Sequence, residues 1–272
     1  MKMTKSELLS KKEYKFDDLV AIMKILRSPD GCPWDKEQTH QSIRRDLIEE
    51  TYELIEGIDK DDPAIMREEL GDVLLQVVFH SEISDNNGDF NIDNVCDDVC
   101  KKLIVRHPHI FGDVKADNSE EVLKNWDIIK KETKNQQTDT EVLRSITPSL
   151  PALMRAHKLG KKARKLGFDF DDCAEAIEKI KEELAEVTEA AAGNDEAAKH
   201  EEFGDLLLSV VNAARLAGVD SEKALYDANE KFLKRFEKVE SLCLASGKSV
   251  TEASREEKEL YWQKAKEMLK NS

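Results

Sequence analysis

The chain has 272 residues, room for one large domain or two of ordinary size, and 36% of them are charged while only 6% are aromatic. That mixture suits amphipathic helices with solvated outer faces rather than a β-sandwich. A formal charge of −15 excludes general binding to nucleic acid or to an anionic membrane, because phosphates are repelled unless local basic groups or a bound metal intervene.

The stretch MKMTKSELLSKKEYKF carries positive charge but no apolar core, so it does not read as a secretory signal. From Phe16, the residues Leu19, Val20, Ile22, Met23, Ile25 and Leu26 recur at three-and-four spacing and predict a helix. Next comes a helix carrying IEETYELIEG from Ile48, a break around residues 57–63, and a returning helix carrying REELGDVLLQVV. Two helices joined by a short turn run antiparallel. A third helix is expected over Ile92–Arg106. Cys96 and Cys100 stand four apart on it, as two metal ligands or, the commoner behaviour of free cysteine, as small packing residues. Five cysteines without a CxxC pair, and apolar runs at 73–79 and 206–211 too short to span a bilayer, place the chain in the cytoplasm by expectation.

The polar segment KNQQTDTEVLRSITPSLP, which holds Pro148 and Pro151, reads as a linker. It sets an expected boundary near residue 145 and two domains, 1–145 and 146–272. Beyond it, helices are expected over 174–192 and 197–216, broken by Gly193-Asn194-Asp195, and then over 221–244. No strand pattern is present. The expected fold class is all-α, two tandem helical bundles.

The halves repeat one another. A constant offset of 133 positions carries Glu49 to Glu182, Glu50 to Glu183, Glu53 to Glu186, Glu69 to Glu202, Gly71 to Gly204 and Asp72 to Asp205. Residues three or four apart share a helix face. Glu50 and Glu53 would therefore meet Glu69 and Asp72 across the hairpin as four converging carboxylates, with Glu183, Glu186, Glu202 and Asp205 doing the same in the second copy. Gly71, between two of these acids, would permit close backbone approach. The acids interrupt apolar faces (Leu47, Ile48, Leu54, Ile55; Leu70, Val73, Leu74). Acids near a core without basic partners repel and hold raised pKa values, a penalty that a hard cation removes. All-oxygen ligands favour Mg²⁺, or Mn²⁺, over zinc. A di-iron centre of the ferritin-like type needs an ExxH on each of two helices; only Glu37–His40 fits, outside the repeat.

EExxE followed by ExxD on the next helix resembles the signature of the MazG family of all-α nucleotide pyrophosphohydrolases. GCPWDKEQTHQSI, RHPHIFGD, SLPALMRAHKLGKKARKLGFDF and ANEKFLKRFEKVE resemble further family segments, in the order of two-domain bacterial members, over nearly the whole chain. The resemblance implies Mg²⁺-dependent conversion of nucleoside triphosphates to monophosphate and pyrophosphate. It implies metal ligands at Glu50, Glu53, Glu69, Asp72, Glu183, Glu186, Glu202 and Asp205. Glu49 and Glu182, on the faces of Glu53 and Glu186, would serve a second metal or the attacking water. Substrate would meet Lys231, Arg235, Trp262 and Lys266, or Lys102, Arg106, Trp126 and Lys130 in the first domain, while Trp34 could simply pack. The reaction would be water attack at the α-phosphorus; no nucleophilic side chain is required, and no P-loop pattern occurs. The resemblance associates hydrolysis with the second domain, which is therefore expected to be the principal site; aligning Lys231 with Lys102 also puts Cys100 and Lys101 in the first where the second has Asn229 and Glu230. A homodimer or larger homo-oligomer is expected, with no stable nucleic-acid or membrane partner. The alternative is a non-catalytic helical scaffold that binds or senses nucleotides.

Overall fold

The computed structural model describes residues 3–115, 118, 121, 122, 125, 126, 129 and 138–270. Among these it shows thirteen α-helices and no strand, and none of the helices is long and apolar enough to cross a membrane. The chain divides into two compact units, 1–130 and 131–272. The division falls before residue 145 because the short helix Asp139–Arg144 packs against the helix Ala152–Lys165 of the second unit. There Lys162 Nζ donates to the Val142 carbonyl at 2.8 Å and to Ser145 Oγ at 2.9 Å.

Unit 1 contains α1 (Lys5–Leu9), α2 (Phe16–Leu26), α3 (Pro33–Glu37), α4 (Arg44–Asp59), α5 (Pro63–Asn87), α6 (Ile92–Arg106) and α7 (Pro108–Phe111). The α4–α5 hairpin is its centre, and α2 and α6 pack on α5. Unit 2 contains α8 (Asp139–Arg144), α9 (Ala152–Lys165), α10 (Cys173–Ala192), α11 (Glu196–Leu216), α12 (Ser221–Ala245) and α13 (Arg255–Lys270). Its α10–α11 hairpin receives α9 on α11, while α12 pairs with α13.

Each hairpin restarts in the same way. Asp62 caps α5, its Oδ1 accepting from the Ala64 and Ile65 amides at 2.9 and 3.3 Å. Asp195, at the same repeat offset, caps α11 by accepting from Ala197 and Ala198 at 2.9 and 3.2 Å. Such a cap satisfies amides that have no partner inside the helix and contributes about 1 kcal/mol. Gly57 lets the first hairpin close, since a Cβ there would lie 2.9 Å from Ile65 Cγ2 and 3.1 Å from the Met66 nitrogen. Gly71 does not play the part expected of it: a Cβ there, or at its counterpart Gly204, would meet nothing within 4 Å.

The core of unit 1 is Met23, Ile43, Val78, Phe79, Ile83 and Ile92; Val239, Cys243, Ala253 and Ala265 form a second cluster between α12 and α13. Both hairpins keep an uncovered apolar side, with Ile48, Tyr52, Leu70 and Leu74 exposed in the first and Leu184, Phe203 and Leu207 in the second. All five cysteines are free thiols, but Cys96 and Cys100 are exposed rather than packed, contrary to expectation. Apolar neighbours on their helix, such as Val99 and Leu103, face solvent too, so no core lies beneath them. Trp34 is also exposed, touching Phe79 edge-on at 6.4 Å between centroids.

A buried ion pair fixes α11 to the segment before α10. Arg215 Nη1 donates to Asp169 Oδ2 at 3.0 Å and Nη2 to Oδ1 at 2.5 Å, and the two side chains are only 5% and 11% exposed. Hydrogen bonding from Arg215 holds the Asp169 carboxyl below its ordinary pKa. Gly160 of α9 makes room for this pair, because a Cβ there would fall 2.6 Å from both Arg215 Nε and Asn212 Oδ1. Removing one partner of a buried pair strands the other, at a cost of about 3–5 kcal/mol, whereas an exposed pair contributes about 0–1 kcal/mol. Asp169→Ala should therefore lower the denaturant midpoint sharply, while Lys101→Ala, which removes the exposed contact with Asp97, should barely move it. Equal effects would contradict this ranking.

Candidate metal centre

Both hairpins bring carboxylates from two helices together. In unit 1, oxygens of Glu50 on α4 and of Glu69 and Asp72 on α5 all lie within 4.8 Å of one another; in unit 2 the same holds for Glu183 and Glu186 on α10 and Glu202 on α11. The expected sets of four are thus sets of three, and the two copies choose different threes. Glu53 and Asp205 lie outside them, although Glu53 is close enough for its charge to act on Glu50 and Glu69. Glu49 and Glu182 sit at the rims, more than half exposed, each tied to its own helix: Arg45 Nε lies 2.9 Å from Glu49 Oε1 and Lys179 Nζ 2.8 Å from Glu182 Oε1.

The electrostatics follow from this crowding. Loss of hydration, then repulsion from Asp72, Glu53 and Asp46, raises the Glu50 pKa. Glu69 is raised by loss of hydration and by Glu53 and Asp72. Glu186 is raised first by a hydrogen bond shared with Glu183 and then by loss of hydration. Acids without basic partners were expected in both copies. Among the described residues, no salt bridge reaches Glu50, Glu69 or Asp72. In unit 2, however, Lys179 Nζ also lies 2.8 Å from Oε1 of the buried Glu183. Hydrogen bonds to Glu182 and Glu183 hold the Lys179 ammonium above the ordinary lysine pKa.

These sets fit a hard divalent cation. Every donor is a carboxylate oxygen, the charges of the first set repel without a counter-ion, and two oxygens bound to one Mg²⁺ lie at most about 4.2 Å apart. Spacings within 4.8 Å reach that with small rotamer adjustments. Among the described residues neither cysteine of α6 joins such a group. His40 turns to His80 (Nδ1 to Nδ1, 2.8 Å, rings stacked) and to Ser84 at 3.2 Å, so Glu37–His40 supplies no metal ligand.

Of the residues expected to meet substrate in unit 2, Lys231, Arg235 and Lys266 line one groove. Lys231, Lys234, Arg235, Lys266 and Lys270 line a groove of about 570 Å³ between α12 and α13, together with Asp227, Glu230 and Leu269. Trp262 supports one wall, its ring 5.8 Å from the Arg235 guanidinium carbon and 5.4 Å from Phe232. Arg235 Nε is buried without a hydrogen-bond partner, a cost that a bound anion would relieve. In unit 1, Arg106 covers the ring of Trp126 at 5.4 Å and Lys102 is exposed on α6; Lys130 lies outside the described residues. Sequence reasoning missed Lys179, Asp46, Lys234 and Lys270. The Lys179–Glu183 spacing of one helical turn was the signal available for the first of these.

Helical hairpins with facing acids, repeated in tandem, define an all-α class of protein whose carboxylate clusters could hold a metal ion. The family model for the MazG nucleotide pyrophosphohydrolase domain matches residues 38–111 and 172–240, the two carboxylate hairpins. A nucleoside triphosphate pyrophosphohydrolase/pyrophosphatase MazG of Thermotoga maritima is 46% identical over 251 residues, covering 92% of this chain and 95% of that protein. A nucleoside triphosphate pyrophosphohydrolase of Escherichia coli K12 is 44% identical over 255 residues, covering 93% and 97%. One of Mycobacterium tuberculosis is 38% identical over 153 residues, covering 56% and 45%. This chain belongs to the MazG family.

Raised carboxylate pKa values carry a sign. The folded chain holds protons that the unfolded chain has released, so these acids cost stability as pH rises through the window above the ordinary carboxylate value. A bound cation offsets that cost and competes with protons. Adding Mg²⁺ at pH 7.5 should therefore raise the melting temperature, by less as pH falls toward 5. Glu50→Gln should stabilise the cation-free protein while shrinking the Mg²⁺-dependent rise. A rise independent of pH would contradict this account of the site.

Proposed function

We propose that this protein hydrolyses nucleoside triphosphates to monophosphate and pyrophosphate in a reaction that requires Mg²⁺, with Mn²⁺ able to substitute. The observation that carries the reading is the convergence of three carboxylates from two helices in each copy. Family membership and the names of its relatives, all but full-length in two cases, support it. Glu50, Glu69 and Asp72, with Glu53, would hold the cation in unit 1; Glu183, Glu186 and Glu202, with Asp205, would hold it in unit 2. A divalent cation held there supplies Lewis acidity toward phosphate oxygens and toward the attacking water.

The chain's own groups do the rest. Lys231, Arg235 and Lys266 bind the triphosphate's negative charge, and Trp262 holds Arg235 in place beneath it. In unit 1 Lys102 and Arg106, with Trp126, take the corresponding part, and Lys130 is assigned with them. Water attacks the α-phosphorus, the bond to the bridging oxygen breaks, and pyrophosphate leaves with that oxygen. Glu182 and Glu49, at the rims, take the water's proton or hold a second cation. Unit 2 is the principal site, supported by its basic groove and by Asn229, Glu230 and Lys231 where unit 1 has Cys100, Lys101 and Lys102. The exposed apolar sides of the hairpins support a homodimer in which they cover one another, in the cytoplasm.

With ATP and Mg²⁺ the expected products are AMP and pyrophosphate, and in ¹⁸O-water the label should appear in AMP. Release of ADP and inorganic phosphate, or label in pyrophosphate, would overturn α-attack; no turnover at all would favour a binding scaffold. Glu183→Gln should lower kcat by more than about 100-fold, beyond the ~10–100-fold typical of groups behind a metal ligand, and Glu50→Gln by less. Equal losses would defeat the ranking of the two units.

A further inference from the structure

The two carboxylate sets differ at one position of the repeat. Lys179 of α10 corresponds to Asp46 of α4 at the same offset that aligns the acids. In unit 2 the ammonium is already seated, 2.8 Å from Glu183 Oε1 and 2.8 Å from Glu182 Oε1. Glu183 belongs to the converging three, and its side chain is 6% exposed, so this contact lies inside the set rather than on its surface. In unit 1 the equivalent Asp46 instead adds repulsion on Glu50. Arg45 brings a positive charge to α4, but its partner is Glu49, both are exposed, and Glu49 is not one of the three.

A cation entering the second set must compete with Lys179 for the charge of Glu183, whereas one entering the first meets uncompensated carboxylates and an additional acid. We propose that the two copies are divalent-cation sites of unequal strength, the first tighter and the second weaker, and that Lys179, a tethered cation competing for Glu183, sets the difference. This rests on the metal-dependent reading above and adds an order of loading. Unit 1 fills at low cation concentration, and unit 2 fills only when the cation is abundant enough to compete with the lysine. Hydrolysis in unit 2 would then follow cation availability while unit 1 stays filled.

The test is Mn²⁺ binding to the full-length protein, followed by the paramagnetic resonance signal of the free ion, without nucleotide. The wild type should show a tight and a weak class of site. Glu50→Gln with Asp72→Asn should remove the tight class, and Glu183→Gln with Glu202→Gln the weak one. With unit 1 silenced in this way, Lys179→Met should tighten the remaining site about tenfold, the order expected for removing one charge near a partly exposed cation site. With unit 2 silenced, Asp46→Lys should weaken the remaining site by a similar factor. This reciprocal change keeps the test decisive if Lys179→Met does not fold. Melting curves should show Lys179→Met less stable than wild type without Mn²⁺ and restored by it. Two classes of equal affinity, or a Lys179→Met site unchanged or weaker, would overturn the inference while leaving the metal sites standing. No Mn²⁺ binding to the wild type would instead overturn the metal-dependent reading itself.

Discussion

Three carboxylates within 4.8 Å of one another repel, because each added like charge raises the cost of ionising the others. The structure accepts that cost twice, once in each hairpin, and builds the geometry that imposes it from short-range rules. An aspartate caps the returning helix in both copies, and an i, i+3 spacing puts the acids of each arm on one face. In the first hairpin, Gly57 lets the arms close. The remaining elements hold these hairpins in place: α2 and α6 pack on α5, and α9 is fixed against α11 where Gly160 yields to the Arg215–Asp169 pair.

Duplication has preserved the scaffold more strictly than its charges. The caps, the acids and the pair Gly71 and Gly204 keep one offset, while the groups around them have diverged. Glu82 occupies in unit 1 the position that Arg215 occupies in unit 2. Both are buried, with opposite sign. Glu82 is raised in pKa mainly by burial, and a hydrogen bond from Asn86, then the charges of Lys24 and Arg27, draw it back; Arg215 is neutralised by Asp169. A buried charge thus stays at this point of the fold, and its partner changes with it. The exchange of Asp46 for Lys179 is of the same kind, placed where it bears on a cation rather than on packing.

The helices were legible in the sequence because amphipathic spacing and the Gly/Asn/Asp break are local, and their expected limits lie within a residue or two of those observed for α6, α10, α11 and α12. The acids were legible because the repeat gave them in register. What was not legible depends on contacts between helices or on side-chain conformation. Nothing local says which three acids of each set meet, that Glu53 and Asp205 fall outside, or that Cys96 and Cys100 face solvent on an unburied stripe of α6. Gly71 looked like a point of close backbone approach and has open space above it. The prolines suggested a linker at a point where α8 already packs with unit 2.

Both the chemistry and the unequal loading of the two copies require divalent cations seated between the arms of each hairpin. Anomalous diffraction at the manganese absorption edge, from crystals soaked in Mn²⁺, tests that placement most directly. Peaks should appear among Glu50, Glu69 and Asp72 and among Glu183, Glu186 and Glu202. Anomalous density confined to other surfaces, with the hairpin acids turned outward into solvent, would contradict the account.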